Sequence, residues 1–211
     1  MKITIPKIYP ITDTRISGLS HLEQVRRLIA GGATLIQLRD KSAAAGDFYR
    51  AAVESVDHAH RHRAKIIIND RADIALASGA DGVHLGQDDL SPIYARNLLG
   101  QSAIIGFSTH SVEQARAALE LPVDYLAVGP IFATSTKADS DPVVGLEGLR
   151  SVRKSISNLH LVAIGGIDRN NAASIFGAGA DSLAVISDLL SKPSDIAGRT
   201  REFIRMCPPA D

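Results

Sequence analysis

KIIINDRADIALASGADGVHLGQDD, residues 65–89, packs a whole structural unit into one short stretch. It opens on the apolar run Lys65–Ile68 and breaks into Asn69-Asp70. An amphipathic segment follows over Asp73–Ala77, then Ser78-Gly79-Ala80-Asp81, a second apolar run Gly82–Leu85, and Asp88-Asp89. Short runs that are apolar throughout are strands buried on both faces. Two of them joined through a helix make a parallel strand–helix–strand unit. Each run ends in polar residues, so the C-terminal ends of the strands face a ligand.

The same pattern recurs along the chain. Strands are expected at Ile8–Thr12, Leu35–Leu38, Lys65–Ile68, Gly82–Leu85, Ile104–Phe107, Tyr125–Val128, Leu161–Ile164 and Ser182–Val185. Helices are expected at Leu22–Ala30, Asp47–His62, Asp73–Ala77, Pro92–Leu98, Val112–Leu119, Leu146–Ser155, Asn170–Phe176 and Asp195–Arg205. Eight alternating pairs close an α/β (β/α)8 TIM barrel, a single domain over residues 1–211, with its site at the C-terminal strand ends. An open doubly wound sheet is the alternative, but no G-x-G-x-x-G follows the first strand. Gly31-Gly32-Ala33-Thr34, Ser78-Gly79-Ala80-Asp81 and Ala178-Gly179-Ala180-Asp181 each precede a strand, a repeat that reads as helix capping and close packing. Residues 133–145 form the one long loop, a lid candidate on the active face.

Bulk composition removes whole classes of function. Lys+Arg 23 balances Asp+Glu 23, so no charge excess draws the chain to nucleic acid or an anionic membrane. Aromatics at 4% and no Trp leave no base-stacking platform. A single Cys207 makes no internal disulfide, which suits a reducing cytoplasm. The opening MKITIPKIYPITD lacks the succession of a signal peptide, and no apolar run approaches the ~20 residues of a membrane span.

The polar strand ends carry the chemistry. Asn69-Asp70 and Asp88-Asp89 end neighbouring strands, where one carboxylate from each suits Mg²⁺ shared with water and phosphate; capping of the next helices is the competing reading. Arg39 and Lys41 follow strand two on one side, and with Lys137 they form a cationic clamp for a polyanion, or else ordinary surface ion pairs. Thr134-Ser135-Thr136, Gly165-Gly166 and Ile186-Ser187 offer hydroxyls and amides for a second phosphate, or else plain turn chemistry. Ser108 is a hydrogen-bonding contact. His110 either touches substrate or caps the next helix. His84 reads as a satisfied barrel residue, and His58, His60 and His62 as an exposed basic helix face rather than zinc ligands.

Taken in order, QLRDK, NDR, GVHLGQDDL, GFSTH, DYLAVGPIFATSTK, VVGLEGL, AIGGI and GADSLAVIS resemble the thiamine-phosphate synthase family from Tyr9 to Ser187. The resemblance implies a (β/α)8 barrel that joins an aminopyrimidine diphosphate to a thiazole phosphate with Mg²⁺, releasing diphosphate. It implies that Gln37, Leu38, Arg39, Asp40, Lys41, Asn69, Ser108 and Lys137 form the pyrimidine-diphosphate site. Of these, Arg39, Lys41, Lys137 and Ser108 are the catalytic set. Asp70 and Asp89 would hold the metal, and Thr134, Ser135, Thr136, Gly166, Ile186 and Ser187 the thiazole phosphate. The reaction needs no general base, and none is evident at these strand ends. A related thiazole tautomerase would need one, for which His110 is the candidate. A phosphate-binding sensor, or another phosphate-binding barrel isomerase, completes the alternatives.

Overall fold

The structure, a computed structural model, describes residues 5–134 and 142–208. Its strands are β1 (Ile8–Pro10), β2 (Leu35–Leu38), β3 (Lys65–Asn69), β4 (Gly82–Leu85), β5 (Ile104–Thr109), β6 (Tyr125–Val128), β7 (His160–Ile164) and β8 (Ser182–Val185). They form one parallel sheet in the order β1-β8-β7-β6-β5-β4-β3-β2. The ends of that order meet as well. Ile11 bridges Gln37 in parallel, and the Thr12 N–H donates to the Gln37 carbonyl at 2.9 Å. The sheet therefore closes into a barrel, and the open doubly wound alternative falls away.

Around the barrel run α1 (Thr14–Ser17), α2 (His21–Ala30), α3 (Ala45–Arg61), α4 (Ala72–Ser78), α5 (Pro92–Leu99), α6 (Val112–Ala117), α7 (Gly145–Ile156), α8 (Ala172–Gly177), α9 (Ser187–Leu190) and α10 (Ile196–Met206). Among the described residues no helix is long and apolar enough to cross a membrane. The expected strands and helices agree with these to within a few residues. Two differences matter for the site. β5 continues through Ser108 and Thr109, so these residues are strand rather than loop. α1 was not expected: four residues are too few to show a period, and the Asp13 carboxylate nucleates them by accepting the Arg15 and Ile16 N–H groups at 3.0 and 3.3 Å.

Strand pleating divides the core into two layers. Tyr9, Leu35, Ile67, Tyr125, Val162 and Ala184 pack inside the barrel. Ile36, Leu38, Ile66, Ile68, Val83 and Leu85 pack outward against the helices. Both faces of the strands are largely buried, which is why most of them read as near-continuous apolar runs.

The glycine repeat has a job beyond capping. Gly32, Gly79 and Gly179 take φ of 102, 70 and 102°, as a tight helix-to-strand turn requires. The Asp at the end of two of these turns then reaches a neighbouring strand. Asp81 accepts the Ile66 N–H and Asp181 the Leu161 N–H, both at 2.8 Å, and Asp124 does the same for Ile105 at 2.7 Å. Arg96 and Arg153 brace Asp124 and Asp181 at 2.8 and 2.6 Å. These bonds tie the strand starts together at the face opposite the site.

Candidate active site

A cavity of about 570 Å³ opens at the C-terminal strand ends. Gln37, Arg39, Lys41, Asn69, Asp70, Asp89, Ser108, Thr134, Gly166, Ile186 and Ser187 all line it. They come from seven different strand ends, and the barrel is what brings them together. Leu38 and Asp40 are not part of this lining. Leu38 follows Gln37 in the pleat and so points outward, fully buried against the helices. Asp40 turns back on its own loop. Partial burial alone would raise its carboxyl, but the Ser42 and Ala43 N–H groups, the Ser42 hydroxyl and His21 together hold it down at about 2. Ser135, Thr136 and Lys137 lie outside the described residues.

On the β2 side Arg39 is aimed by Asp13. Its Nη1 lies 3.2 Å from Asp13 Oδ2, and the pair is largely buried. Thr12 accepts the Arg39 N–H at 3.3 Å and bonds the His21 ring at 2.8 Å. The motif YPITD thus serves as scaffolding for QLRDK. That role was hidden in the sequence because the two motifs meet only when β1 and β2 close the barrel.

Asp70 and Asp89 face each other across β3 and β4. The Asp89 carboxyl is pushed up, first by desolvation and then by the Asp70 carboxylate within hydrogen-bonding reach, while the Gly86 N–H and Lys41 pull the other way. Lys41 Nζ lies 2.5 Å from Asp70 Oδ2, and Asp89 Oδ2 accepts the Gly86 N–H at 2.7 Å. Asp70 holds a left-handed φ of 63°, rare for a residue with a Cβ. Capping does not account for either acid. No side chain caps α4, and Ser91 caps α5, accepting the Ile93 N–H at 3.4 Å. Two facing carboxylates in a polar cavity fit Mg²⁺, which prefers one or two carboxylates and fills its remaining positions with water and phosphate. Among the described residues no group of three or more acidic, His or Cys ligands forms an all-protein cage. The ion-pair reading of the cations is also partly right, since Arg39 and Lys41 do pair with Asp13 and Asp70. Both nevertheless line the cavity.

Across the cavity, Gly165 and Gly166 take φ of 99 and 64°. A Cβ on Gly165 would sit 2.6 Å from Pro130 Cα, and one on Gly166 2.7 Å from Phe132 Cβ. The Gly-Gly turn is therefore pressed against the β6 loop, whose Phe132 N–H donates to the Gly165 carbonyl at 3.1 Å. Asn171 fixes the turn from behind by donating to the Gly166 carbonyl at 2.8 Å. Ile186 and Ser187 lead into α9 beside it.

His110 does not cap. Ser111 caps α6, accepting the Gln114 N–H at 3.2 Å. His110 Nδ1 donates to the Gly129 carbonyl at 2.6 Å, and its backbone N–H donates to Gln114 at 2.7 Å. His84 is satisfied, as expected, yet it also lines the cavity and bonds Ser108. Sequence reading assigned no role to Tyr9 and Tyr125, its neighbours inside the barrel; their inward pleat positions were the available signal. His62 spends Nδ1 on the His58 carbonyl at 2.8 Å, in keeping with an exposed helix face rather than a zinc site.

Fold and cavity define a (β/α)8 barrel enzyme whose working face carries acids and cations on one wall and a glycine turn on the other. The chain belongs to the thiamine monophosphate synthase family, a family of transferases: residues 8–189 match it. It is 46% identical over 211 residues to a thiamine-phosphate synthase of Koribacter versatilis, covering 97% of each chain. It is also 46% identical over 197 residues to one of Methanospirillum hungatei, covering 93% of this chain and 95% of the other. Thiamine phosphate pyrophosphorylase from Pyrococcus furiosus superposes with a TM-score of 0.85 at 36% identity, covering 95% and 94% of the two chains. The resemblance drawn from the strand-end motifs thus extends to sequence and fold.

Proposed function

We propose that this chain, as a single barrel domain, condenses 4-amino-2-methyl-5-(diphosphooxymethyl)pyrimidine with 4-methyl-5-(2-phosphooxyethyl)thiazole, giving thiamine phosphate and diphosphate. The observation that carries the reading is the Asp70–Asp89 pair with Lys41 above it, set across one cavity from the Gly165-Gly166 turn. A site with two anion subsites, one acidic enough for a divalent cation, suits two phosphorylated substrates.

In this reading Asp70 and Asp89 hold Mg²⁺. The ion, when bound, neutralises charge on the leaving diphosphate. Arg39, Lys41 and Lys137 clamp the same oxygens, and Asn69 and Gln37 orient the pyrimidine half. Asp13 keeps Arg39 directed at the anion. Leu38 and Asp40 act through the backbone of the QLRDK turn, which the Asp40 carboxylate holds in shape. Gly166, Ile186 and Ser187, with Thr134, Ser135 and Thr136, seat the thiazole phosphate.

The C–O bond to diphosphate breaks while the aminopyrimidine donates electron density to the methylene carbon. The thiazole nitrogen lone pair then forms the C–N bond, and the positive charge stays on the thiazolium. No proton leaves, so no general base is required. Catalysis comes from electrostatic stabilisation of diphosphate and from holding the nitrogen over the carbon. A cytoplasmic setting belongs to the same reading. Burial pushes the Cys207 thiol up to about 11, which keeps it protonated and unreactive.

The test is a coupling assay with both substrates and Mg²⁺, following thiamine phosphate and diphosphate, with an EDTA control. Metal-dependent formation of both products is expected. Binding of the thiazole phosphate without product would sink the reading.

A further inference from the structure

A row of polar side chains runs through the barrel interior, where neighbouring inward positions carry Leu35, Ile67 and Val162. Gln37 Nε2 donates to the Tyr9 hydroxyl at 3.0 Å. The Tyr9 and Tyr125 hydroxyls are 2.9 Å apart. Tyr125 meets His84 Nδ1 at 3.0 Å, and His84 Nε2 meets Ser108 Oγ at 2.9 Å. Both ends of the row, Gln37 and Ser108, line the cavity from β2 and β5. Its middle is sealed, with Tyr9 and Tyr125 at 1% and 0% exposure. Gly106 makes room for it: a Cβ there would collide with the Tyr125 ring and hydroxyl and lie 2.6 Å from His84 Nδ1.

The direction of every bond in such a row is set by its first member. An amide NH₂ can only donate, so Tyr9 accepts from Gln37. A phenol has one proton, so Tyr9 passes its own to Tyr125, and Tyr125 passes its own to His84 Nδ1. A nitrogen that accepts carries no hydrogen of its own, so the ring is neutral with one hydrogen, and burial acts in the same direction. Because Nδ1 accepts, that hydrogen is on Nε2 and points at Ser108. Ser108 accepts it and is left with its own proton for the cavity. Burial also pushes both tyrosines well above their ordinary value, so neither ionises to break the order.

We propose that Tyr9, Tyr125 and His84 are positioning residues that lock Ser108 as a hydrogen-bond donor, and that this lock selects an aminopyrimidine over an oxopyrimidine. The selection rests on the proposed function, in which Ser108 faces the pyrimidine. In an aminopyrimidine, the ring nitrogen beside the amino-bearing carbon is a bare acceptor and receives the Ser108 proton. In the oxo form that nitrogen bears a hydrogen, so donor meets donor. A mismatch of this kind in a closed site lowers kcat/KM by roughly tenfold to a hundredfold.

The proton order is read first, in the free protein, from the ¹⁵N spectrum of histidine-labelled material, with His84 assigned by the loss of its signals in His84→Gln. A neutral Nε2–H tautomer at pH 7 is expected, and an Nδ1–H tautomer overturns the proposal. Tyr125→Phe keeps the ring and removes the donor to Nδ1. It should mix the tautomers and raise KM for the aminopyrimidine diphosphate. The amino-over-oxo preference should fall about tenfold or more, with KM for the thiazole phosphate unchanged. Tyr9→Phe, which does not touch His84, should mix the tautomers in the same way. Variants that keep both the wild-type tautomer and the wild-type preference also overturn the proposal. If the wild-type protein makes no thiamine phosphate, the reaction reading fails while the tautomer spectrum still decides the proton order.

Discussion

Asp89→Asn should raise the thermal stability of the metal-free protein while removing its response to Mg²⁺. Two like charges about 4 Å apart repel by roughly 4 kcal/mol at an effective dielectric of about 20. Lys41, 2.5 Å from Asp70, offsets most of that, and solvent in the half-open cavity screens more. About 1 kcal/mol of repulsion remains at neutral pH. The Asn carbonyl can keep the Gly86 N–H bond, so the substitution removes the repulsion and little else. In a chain of this size that is worth about 2–4 °C in Tm. The pH dependence has a definite sign. The folded-state value of Asp89 is raised above its unfolded one, so its contribution to stability is fullest below the unfolded value and is lost as pH rises through the raised value. Asp89→Asn should flatten that slope.

Mg²⁺ should reverse the ranking. At ten times its Kd a ligand stabilises the wild type by about 1.4 kcal/mol, an increment the Asn variant should not receive. The assay is thermal melting in EDTA and across a Mg²⁺ titration, at pH 7 and again near pH 5. A variant that melts below wild type in EDTA, or that gains the same Mg²⁺ shift, would refute the reasoning that repulsion is retained there for the sake of a cation.

Three further outcomes test other parts of the structure. Gly165→Ala combines a φ of 99° with a Cβ 2.6 Å from Pro130, so it should cost about 2 kcal/mol or more in denaturant unfolding and weaken thiazole-phosphate binding in calorimetry. Asp181→Ala leaves the Leu161 N–H without its acceptor and takes from Arg153 its carboxylate partner, leaving it the Ser157 and Leu159 carbonyls, so Tm should fall by the equivalent of about 1–3 kcal/mol, while kcat at a permissive temperature stays within about twofold. Lys137→Ala should slow turnover far more than it weakens thiazole-phosphate binding, and equal losses in steady-state kinetics and equilibrium binding would remove Lys137 from the diphosphate clamp.

The sequence carried most of the architecture because a parallel barrel writes itself locally. Each strand is buried on both faces, each helix keeps its period, and Gly79 or Gly179 marks the turn between them. The placement of the strand-end residues was equally legible. Asn69-Asp70, Asp88-Asp89 and Gly165-Gly166 sit at fixed offsets from apolar runs, and the barrel delivers such offsets to one face. Helix α1 leaves no periodic signature because a single side chain, Asp13, organises its four residues.

What the sequence alone determined, then, was the alternation of elements, the barrel and the set of residues at its mouth, since these depend on spacing along the chain. Only the tertiary structure decided which of those residues meet. Asp13 reaches Arg39 across 26 positions, and Tyr9 reaches Tyr125 across 116. It also decided that Leu38 faces the helices while Gln37 faces the cavity, and that His84 works on Ser108 rather than merely filling space. Closure of the sheet causes all of this. It sets inward pleat positions from distant strands within hydrogen-bonding reach of one another, and no local property of the chain records which partner each will find.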